Sequence, residues 1–294
     1  MFNYLYPFWN MEQHRIATGI RSLDPIIKGG FPAGSFIVLL GEIGAGNIEF
    51  AYSSMILSQL EQKKSKSAPT TAEAGLNYKY SKKICYVSIT RSKEDILNEI
   101  AFGFSREYSA ALRDVINFQD FSKQFFLKSS VPSRWISDKI SFEKLCEPVA
   151  DANLLVDLVD FLEKNASDSL VILDSLTQLA QYCEEYMKWN ELLFFLRALQ
   201  KAAKLWNGVV YAVLSKNVFQ RRKEESIIDC ADGVLVFDWV ETGVAQRQQI
   251  MYIKKFGGLL PTLEKDNIAN FEIKIMPATG FQVTNVKQIV SFGR

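Results

Sequence analysis

The chain has 294 residues, 48% of them apolar and 23% charged, with 16 glycines and 8 prolines. That composition excludes fibrous and intrinsically disordered classes. The formal charge of +1 excludes a strong overall pull toward nucleic acid or anionic lipid and leaves room only for a local patch.

In chain order, the start MFNYLYPFWN is aromatic but lacks the basic n-region and long apolar h-region of a secretory signal. It reads as packing against the domain body or, alternatively, as a partner-docking peptide. No later run approaches the roughly 18 apolar residues of a membrane span. A soluble, cytoplasmic protein without membrane attachment is expected. Cys85, Cys146, Cys183 and Cys230 lie too far apart for a zinc or disulfide framework and read as reduced thiols. The single histidine, His14, cannot build a histidine metal cluster and reads as a polar surface residue.

Ser35–Leu40 (SFIVLL) is a short buried strand bounded by glycines, followed by a helix over Asn47–Leu60 that is apolar nearly all round. Glu61–Lys83, rich in Lys, Ser, Thr and Ala, reads as a solvated surface loop. Strands follow at Cys85–Ile89, Leu170–Leu173, Val209–Leu214 and Val234–Phe237. Helices are expected over Ala152–Asn165 and over Trp189–Trp206, the latter with Leu193, Leu196, Ala203 and Trp206 on one stripe. Between them, 101–148 is opaque, and its Phe118, Phe121, Phe125 and Phe126 read as core packing. Ile250–Phe256 is a further strand, and in Phe271–Ile275 apolar residues alternate with Glu272 and Lys274, a half-exposed strand at a sheet margin.

Strands separated by helices predict right-handed βαβ units. The fold class is therefore an α/β sandwich: a mostly parallel central sheet, helices on both faces, and antiparallel C-terminal strands. Its ligand site belongs at the carboxyl ends of the strands. One domain over 16–285 is expected, with 1–15 as an N-terminal extension, 61–83 as an inserted loop and 286–294 as a tail.

The first strand runs into Gly41-Glu42-Ile43-Gly44-Ala45-Gly46-Asn47-Ile48 and then a helix. Strand, glycine-rich turn and helix N-terminus form the setting of a phosphate loop, where backbone N–H groups approach an anion closely. The full pattern is G-x-x-x-x-G-K-[ST]. Gly41 and Gly46 match it, while Asn47 and Ile48 stand where lysine and Ser/Thr belong.

Upstream lie Thr18-Gly19-Ile20-Arg21-Ser22-Leu23-Asp24 and Gly29-Gly30-Phe31-Pro32-Ala33-Gly34-Ser35. With the loop they resemble the opening of KaiC-like, RecA-fold P-loop ATPases. Leu170–Thr177 is similar to that family's Walker B strand, and Ala231-Asp232-Gly233-Val234 to its A-D-G-V segment. The resemblance implies a RecA-like P-loop NTPase sandwich, a nucleotide at Gly41, Glu42, Gly44, Ala45, Gly46, Asn47 and Ile48, and Asp174 as a Mg²⁺ partner. It also implies oligomers, of this chain or with active KaiC-like relatives.

The departures fall on the chemistry. Asn47 removes the ammonium from the β/γ-phosphates. Ile48 removes a hydroxyl ligand of Mg²⁺. Glu49 sets a carboxylate in the first helical turn, where it repels a triphosphate. The family's two catalytic glutamates fall on Thr90 and Arg91, neither of which is a base at neutral pH. Of a trans-acting K-x-R pair, Lys254 matches and the arginine is Phe256. A missing general base costs roughly 10²–10⁴ in rate and a missing arginine finger roughly 10³–10⁵.

No catalytic residue is therefore assigned, and no metal site beyond Asp174, whose plainer reading is a cap on the Ser175–Thr177 turn. ATP or ADP, bound weakly, is the cofactor the loop is compatible with. Lys216 could reach the loop from the sheet's carboxyl edge, although an ordinary surface lysine is the plainer reading. The expected function is an inactive KaiC/RecA-like pseudo-ATPase, a regulatory or scaffolding subunit in signal transduction. Two alternatives stay open: an ATP-binding protein or weak ATPase with a rearranged site using Lys216, Lys254 and Asp174, and a DNA-associated RecA-like module. For the latter, Arg221-Arg222-Lys223 is a short basic cluster in a loop, but Glu224-Glu225 follow it and nucleic acid is not the expected partner.

Overall fold

The computed structural model describes residues 14–67, 78–132, 135–136, 153–242, 246–257, 259–265 and 268–288. The MFNYLYPFWN segment, Cys146 and the end of the tail lie outside them.

In chain order the elements begin with β1 (Arg15–Ile16), β2 (Phe31–Pro32), β3 (Ser35–Gly41), α1 (Asn47–Ser67), β4 (Tyr78–Lys79) and β5 (Lys83–Ser88). Next come α2 (Lys93–Gly103), α3 (Arg106–Arg113), β6 (Ile116–Asp120), α4 (Ser122–Phe126) and α5 (Leu154–Asn165). Then follow β7 (Ser169–Asp174), α6 (Leu176–Tyr186), α7 (Trp189–Trp206), β8 (Val209–Ser215) and α8 (Arg221–Asp229). The chain closes with β9 (Gly233–Thr242), β10 (Gln246–Phe256), α9 (Leu260–Lys265), β11 (Ile268–Met276) and β12 (Gly280–Gln288).

Nine strands form one sheet in the order β12-β11-β10-β9-β3-β8-β7-β5-β6. From β9 to β6 every pairing is parallel, and β9 through β12 continue antiparallel. This is the sandwich that the alternation of helices and strands predicts. A smaller sheet pairs β1 with β2 and β4. β3 and β7 are buried along their whole length, which is why SFIVLL and LVIL read as continuous apolar runs rather than as alternations.

The sheet separates two cores. On one face α1 packs through Phe50, Met55 and Ile56 with Tyr86, Tyr211 and Phe237 of the sheet and Phe281 of β12. On the other, α7 sets Leu192, Leu196, Leu199 and Ala203 against α5, α6 and the sheet. The stripe of α7 is thus centred one step from the expected one, with Leu193 and Trp206 on its half-buried margin. Phe121 is buried, and Phe118, Phe125 and Phe126 are half-buried, so the aromatic cluster serves packing as expected.

Several family-like motifs are held by local chemistry. Asp24 accepts hydrogen bonds from the Thr18 N–H (2.9 Å), the Thr18 hydroxyl (2.8 Å) and the Gly19 N–H (3.0 Å), closing the turn. Gly30 has φ +122°, and a Cβ there would lie 2.1 Å from the Ile16 carbonyl oxygen, so only glycine fits. Asp232 accepts from the Phe36 N–H and from Lys204 Nζ, tying the start of β3 to α7. Ser92 caps α2 in a reciprocal capping box with Asp95.

Four expectations need correction. The loop over 61–83 is helical through Ser67, because α1 continues past Leu60, and it carries β4 at Tyr78–Lys79; 68–77 lie outside the described residues. The strand over Phe271–Ile275 is one position in from the margin, since β12 forms the edge. The Arg221–Lys223 cluster is the first turn of α8, not a loop, and Lys223 pairs with Glu184 above the Trp189 ring. His14 is half-buried rather than a surface residue, and its Nδ1 is enclosed.

Cys85 and Cys183 are buried, and burial pushes each thiol up to about 12. Only a thiolate reacts, so native protein at pH 8 is expected to leave both unlabelled by a thiol reagent, with labelling appearing on unfolding. Peptide mapping reads the outcome, and rapid native labelling of Cys85 would contradict this packing.

Candidate functional site

The glycine turn projects from the end of β3 at the centre of the sheet, at the carboxyl ends of its parallel strands. Gly44 and Gly46 have φ of +74° and +106°. Gly46 is also where the turn meets the antiparallel strands: a Cβ there would stand 3.3 Å from Ile275 and 3.4 Å from Ile273. Two side chains hold the turn from outside. Trp239 Nε1 donates to the Ile43 carbonyl (3.3 Å), and Gln249 Nε2 to the Gly44 carbonyl (2.9 Å). Arg247 lies over the Trp239 ring, 5.4 Å from its centroid. The Ile43 side chain itself is 91% exposed.

The residues that replace the phosphate-binding pair turn away from the loop. Asn47 is buried, and its Nδ2 donates back to the Leu39 carbonyl at 3.3 Å. Its side chain fills the space beside Gly41, where a Cβ would come within 2.6 Å of Asn47 Cγ. Ile48 packs against the core shared by α1 and the sheet. Glu49 is half-buried, burial raises its carboxyl pKa, and its Oε2 is enclosed without a protein partner among the described residues.

Lys216 follows β8, and its N–H donates to the Gly41 carbonyl at 2.8 Å. Its Nζ lies 2.6 Å from Asp238 Oδ1 and 3.9 Å from Glu42. Burial works against the ammonium, but the Asp238 carboxylate outweighs it and holds the pKa above the ordinary lysine value. It is therefore not an ordinary surface lysine: it sits at the loop, already neutralised.

A second cluster occupies the ends of β5 and β7. Asp174 is buried, and its Oδ2 accepts from the Tyr86 hydroxyl at 2.7 Å. Arg91 Nη1 approaches the same oxygen at 3.8 Å, and Nη2 is bonded to Glu99 of α2. Tyr52 of α1 lies between, accepting from Arg91 and donating to Glu99, each at 3.3 Å. Desolvation raises the Asp174 pKa, against the Tyr86 hydrogen bond and the Arg91 charge, and desolvation pushes Tyr52 up to about 12. The cluster holds two carboxylates, a guanidinium and two phenols that stay protonated. A divalent cation opposite Asp174 would meet that guanidinium, which repels it. Among the described residues no group of three His, Cys, Asp or Glu side chains could hold a metal ion.

Lys254 and Phe256 part company. The register of β10 on β9 shifts between Ile253 and Lys255, a β-bulge at Lys254. Two residues apart in a regular strand share a face; across a bulge they do not. Lys254 is exposed and pairs with Glu225 of α8 at 2.8 Å. Phe256 joins Met251 and Ile253 in the core, stacked on Phe31 with ring centroids 5.5 Å apart.

With this geometry the chain can be compared with known proteins. No family model matches it, and no curated protein matches it. A crystal structure of a KaiC-like protein from the hyperthermophilic archaeon Pyrococcus horikoshii superposes with a TM-score of 0.58, covering 92% of this chain and 99% of its own, at 19% identity. The fold is that of a KaiC-like, RecA-type domain. Among the described residues no helix is long and apolar enough to cross a membrane.

The structure thus brings Gly41, Glu42 and Lys216 together, and Arg91 with Asp174. It separates both groups from Phe256, and Lys254 pairs, among the described residues, with Glu225 of α8. Sequence reasoning missed Tyr52, Tyr86, Glu99, Asp238, Trp239 and Gln249. Tyr86 carried the one available signal, a phenol between Cys85 and Val87 in a buried stretch of β5, whose hydroxyl must find a partner.

Proposed function

We propose that this P-loop-type domain has given up nucleotide hydrolysis and acts as a regulatory or scaffolding subunit in signal transduction, assembled with itself or with catalytically complete KaiC-like proteins. The observation that carries the reading is the Arg91 guanidinium set against Asp174 and Glu99. A hydrolase of this fold needs a metal and a base there, and a guanidinium supplies neither. The inward turn of Asn47, the packing of half-buried Ile48 against the core and the burial of Phe256 support the same reading from the phosphate side. The framework motifs, in contrast, keep their structural partners.

Nucleotide then binds weakly at most, through the N–H groups of the glycine turn. Calorimetry with Mg-ATP is expected to give no low-micromolar binding, and a phosphate-release assay no turnover above buffer. Light scattering of the chain alone, and mixed with a complete KaiC-like protein, is expected to show an assembly larger than one chain. Measurable turnover that disappears on Asp174→Ala overturns the proposal, and a strictly monomeric mass in both measurements removes its scaffolding half.

The rearranged-site reading draws on Lys216, whose ammonium lies at the loop. It requires that lysine to leave Asp238. Turnover lost on Lys216→Ala would favour it.

A further inference from the structure

Helix α7 buries one stripe and leaves another bare. Leu192, Leu196, Leu199 and Ala203 face the core, while Glu191, Phe194, Ala198, Lys201 and Leu205 are all exposed. The exposed five follow one another at alternating steps of three and four residues, which sets them on a single line along the helix, as in the seam of a paired coil. Phe194 is 65% exposed and Leu205 85%. Scattered exposed apolar residues are ordinary, but a line of them on one helix face marks a place for another surface.

The charges of α7 divide accordingly. Arg197 and Lys204 are neutralised within the chain, Arg197 at 2.7 Å from Asp229 and Lys204 at 2.6 Å from Asp232. Glu191 and Lys201, which belong to the bare line, have no ion-pair partner among the described residues. A surface that covers the line must therefore bring a base to Glu191, an acid to Lys201 and apolar groups between them. The line itself offers that set when turned end for end about Ala198. Glu191 stands seven residues from Ala198 and Lys201 three, so in the reversed pair they differ by four residues, a rise of about 6 Å that a lysine side chain spans. Phe194 then lies against Ala202 and the methylene stem of Lys201. Ala198 faces its own counterpart, and so small a residue lets two helix axes approach to about 8 Å. A parallel pair would instead set Glu191 on Glu191 and Lys201 on Lys201, which repel.

We propose that α7 is a self-association surface, on which a second copy of this chain docks its own α7 antiparallel, with a two-fold axis at Ala198. Such a contact is isologous and closes after two copies. One helix from each copy is a small interface, so the dimer belongs in the micromolar rather than the nanomolar range. This self-association rests on the assembly half of the function proposed above and gives it a surface.

The test is sedimentation equilibrium of the full chain across the micromolar range, where the parent is expected to dimerise. Phe194→Ser, Glu191→Lys and Lys201→Glu should each weaken the dimer about tenfold or more, and Glu191→Lys combined with Lys201→Glu should recover most of the loss caused by either. All three positions are exposed in one chain, so unfolding midpoints taken at dilution, where the parent is monomeric, are expected to match the parent's. A strictly monomeric parent overturns the proposal, while the mixture with a complete KaiC-like protein still decides the scaffolding function separately. An assembly indifferent to all three substitutions also overturns it and leaves that function standing on another surface. Charge reversals that do not rescue one another overturn the antiparallel pairing. A Phe194→Ser midpoint that falls at dilution shows the line to be covered within the chain and overturns docking of a second copy.

Discussion

Phe256→Arg, which restores the residue of the KaiC-like pattern, is expected to destabilise the protein severely rather than to recover a catalytic arginine. Loss of a buried Phe side chain costs about 3–5 kcal/mol. A guanidinium left in the core without a partner adds to that. The ring has two specific jobs. It stacks on Phe31, and it covers Gly233, its partner across the β9–β10 ladder, where a Cβ would come within 2.2 Å of the ring. Urea unfolding of Phe256→Arg and Phe256→Leu gives the comparison, with leucine retaining most of the stability. An arginine variant as stable as the parent would contradict the core position of residue 256.

Arg91→Ala is expected to destabilise the fold in a pH-dependent way. Removing one member of a buried ion pair costs about 3–5 kcal/mol, and Arg91 is one-third exposed, so about 1–3 kcal/mol is a fairer expectation here. The sign follows from Asp174. Burial already raises its folded pKa, and Arg91 is one of the groups opposing that rise. Without the guanidinium the folded pKa climbs further above the unfolded value. A carboxyl of that kind disfavours the fold increasingly as pH rises through the range between the two values. The loss should therefore be small near pH 4 and full near pH 8, and Asp174→Asn in the Arg91→Ala background should recover part of it at pH 8. Urea midpoints at both pH values check this, and a loss independent of pH would exclude Asp174 as the partner that matters.

The parallel core was legible because its strands are buried on both faces, so Ser35–Gly41, bounded by glycines, and Ser169–Asp174 stand out as apolar runs. Edges were less so. β6 and β12 carry polar residues at intervals and depend on a neighbour's ladder for their shape, and neither stood out beforehand. The length of α1 was misjudged because Gln62, Lys63 and Lys64 are good helix formers that also populate solvated loops.

At the candidate site the glycine turn, Asn47 and Ile48 were identifiable from the phosphate-loop spacing, and Arg91 and Asp174 from the resemblance to the KaiC-like pattern. Their contacts were not. Arg91 meets Glu99 locally, across the start of α2, but it meets Asp174 and Tyr52 only because β5 pairs with β7 and α1 packs beneath. Lys216 could be named but not located, since its closeness to Glu42 arises from β3 and β8 lying side by side. The bulge at Lys254 has no glycine or proline to announce it, and it reverses the facing of the next two residues.

The placement of β3 has a consequence for synthesis. Ser35 pairs with Val209 and Ile37 with Gly233, so the central strand waits for partners translated much later. At roughly 5–20 residues per second the ribosome needs on the order of ten to thirty-five seconds to deliver them. Until then an apolar segment ending in a glycine hook leaves the exit tunnel with both edges bare, an exposure that the late arrival of its partner strands imposes on Ser35–Gly41.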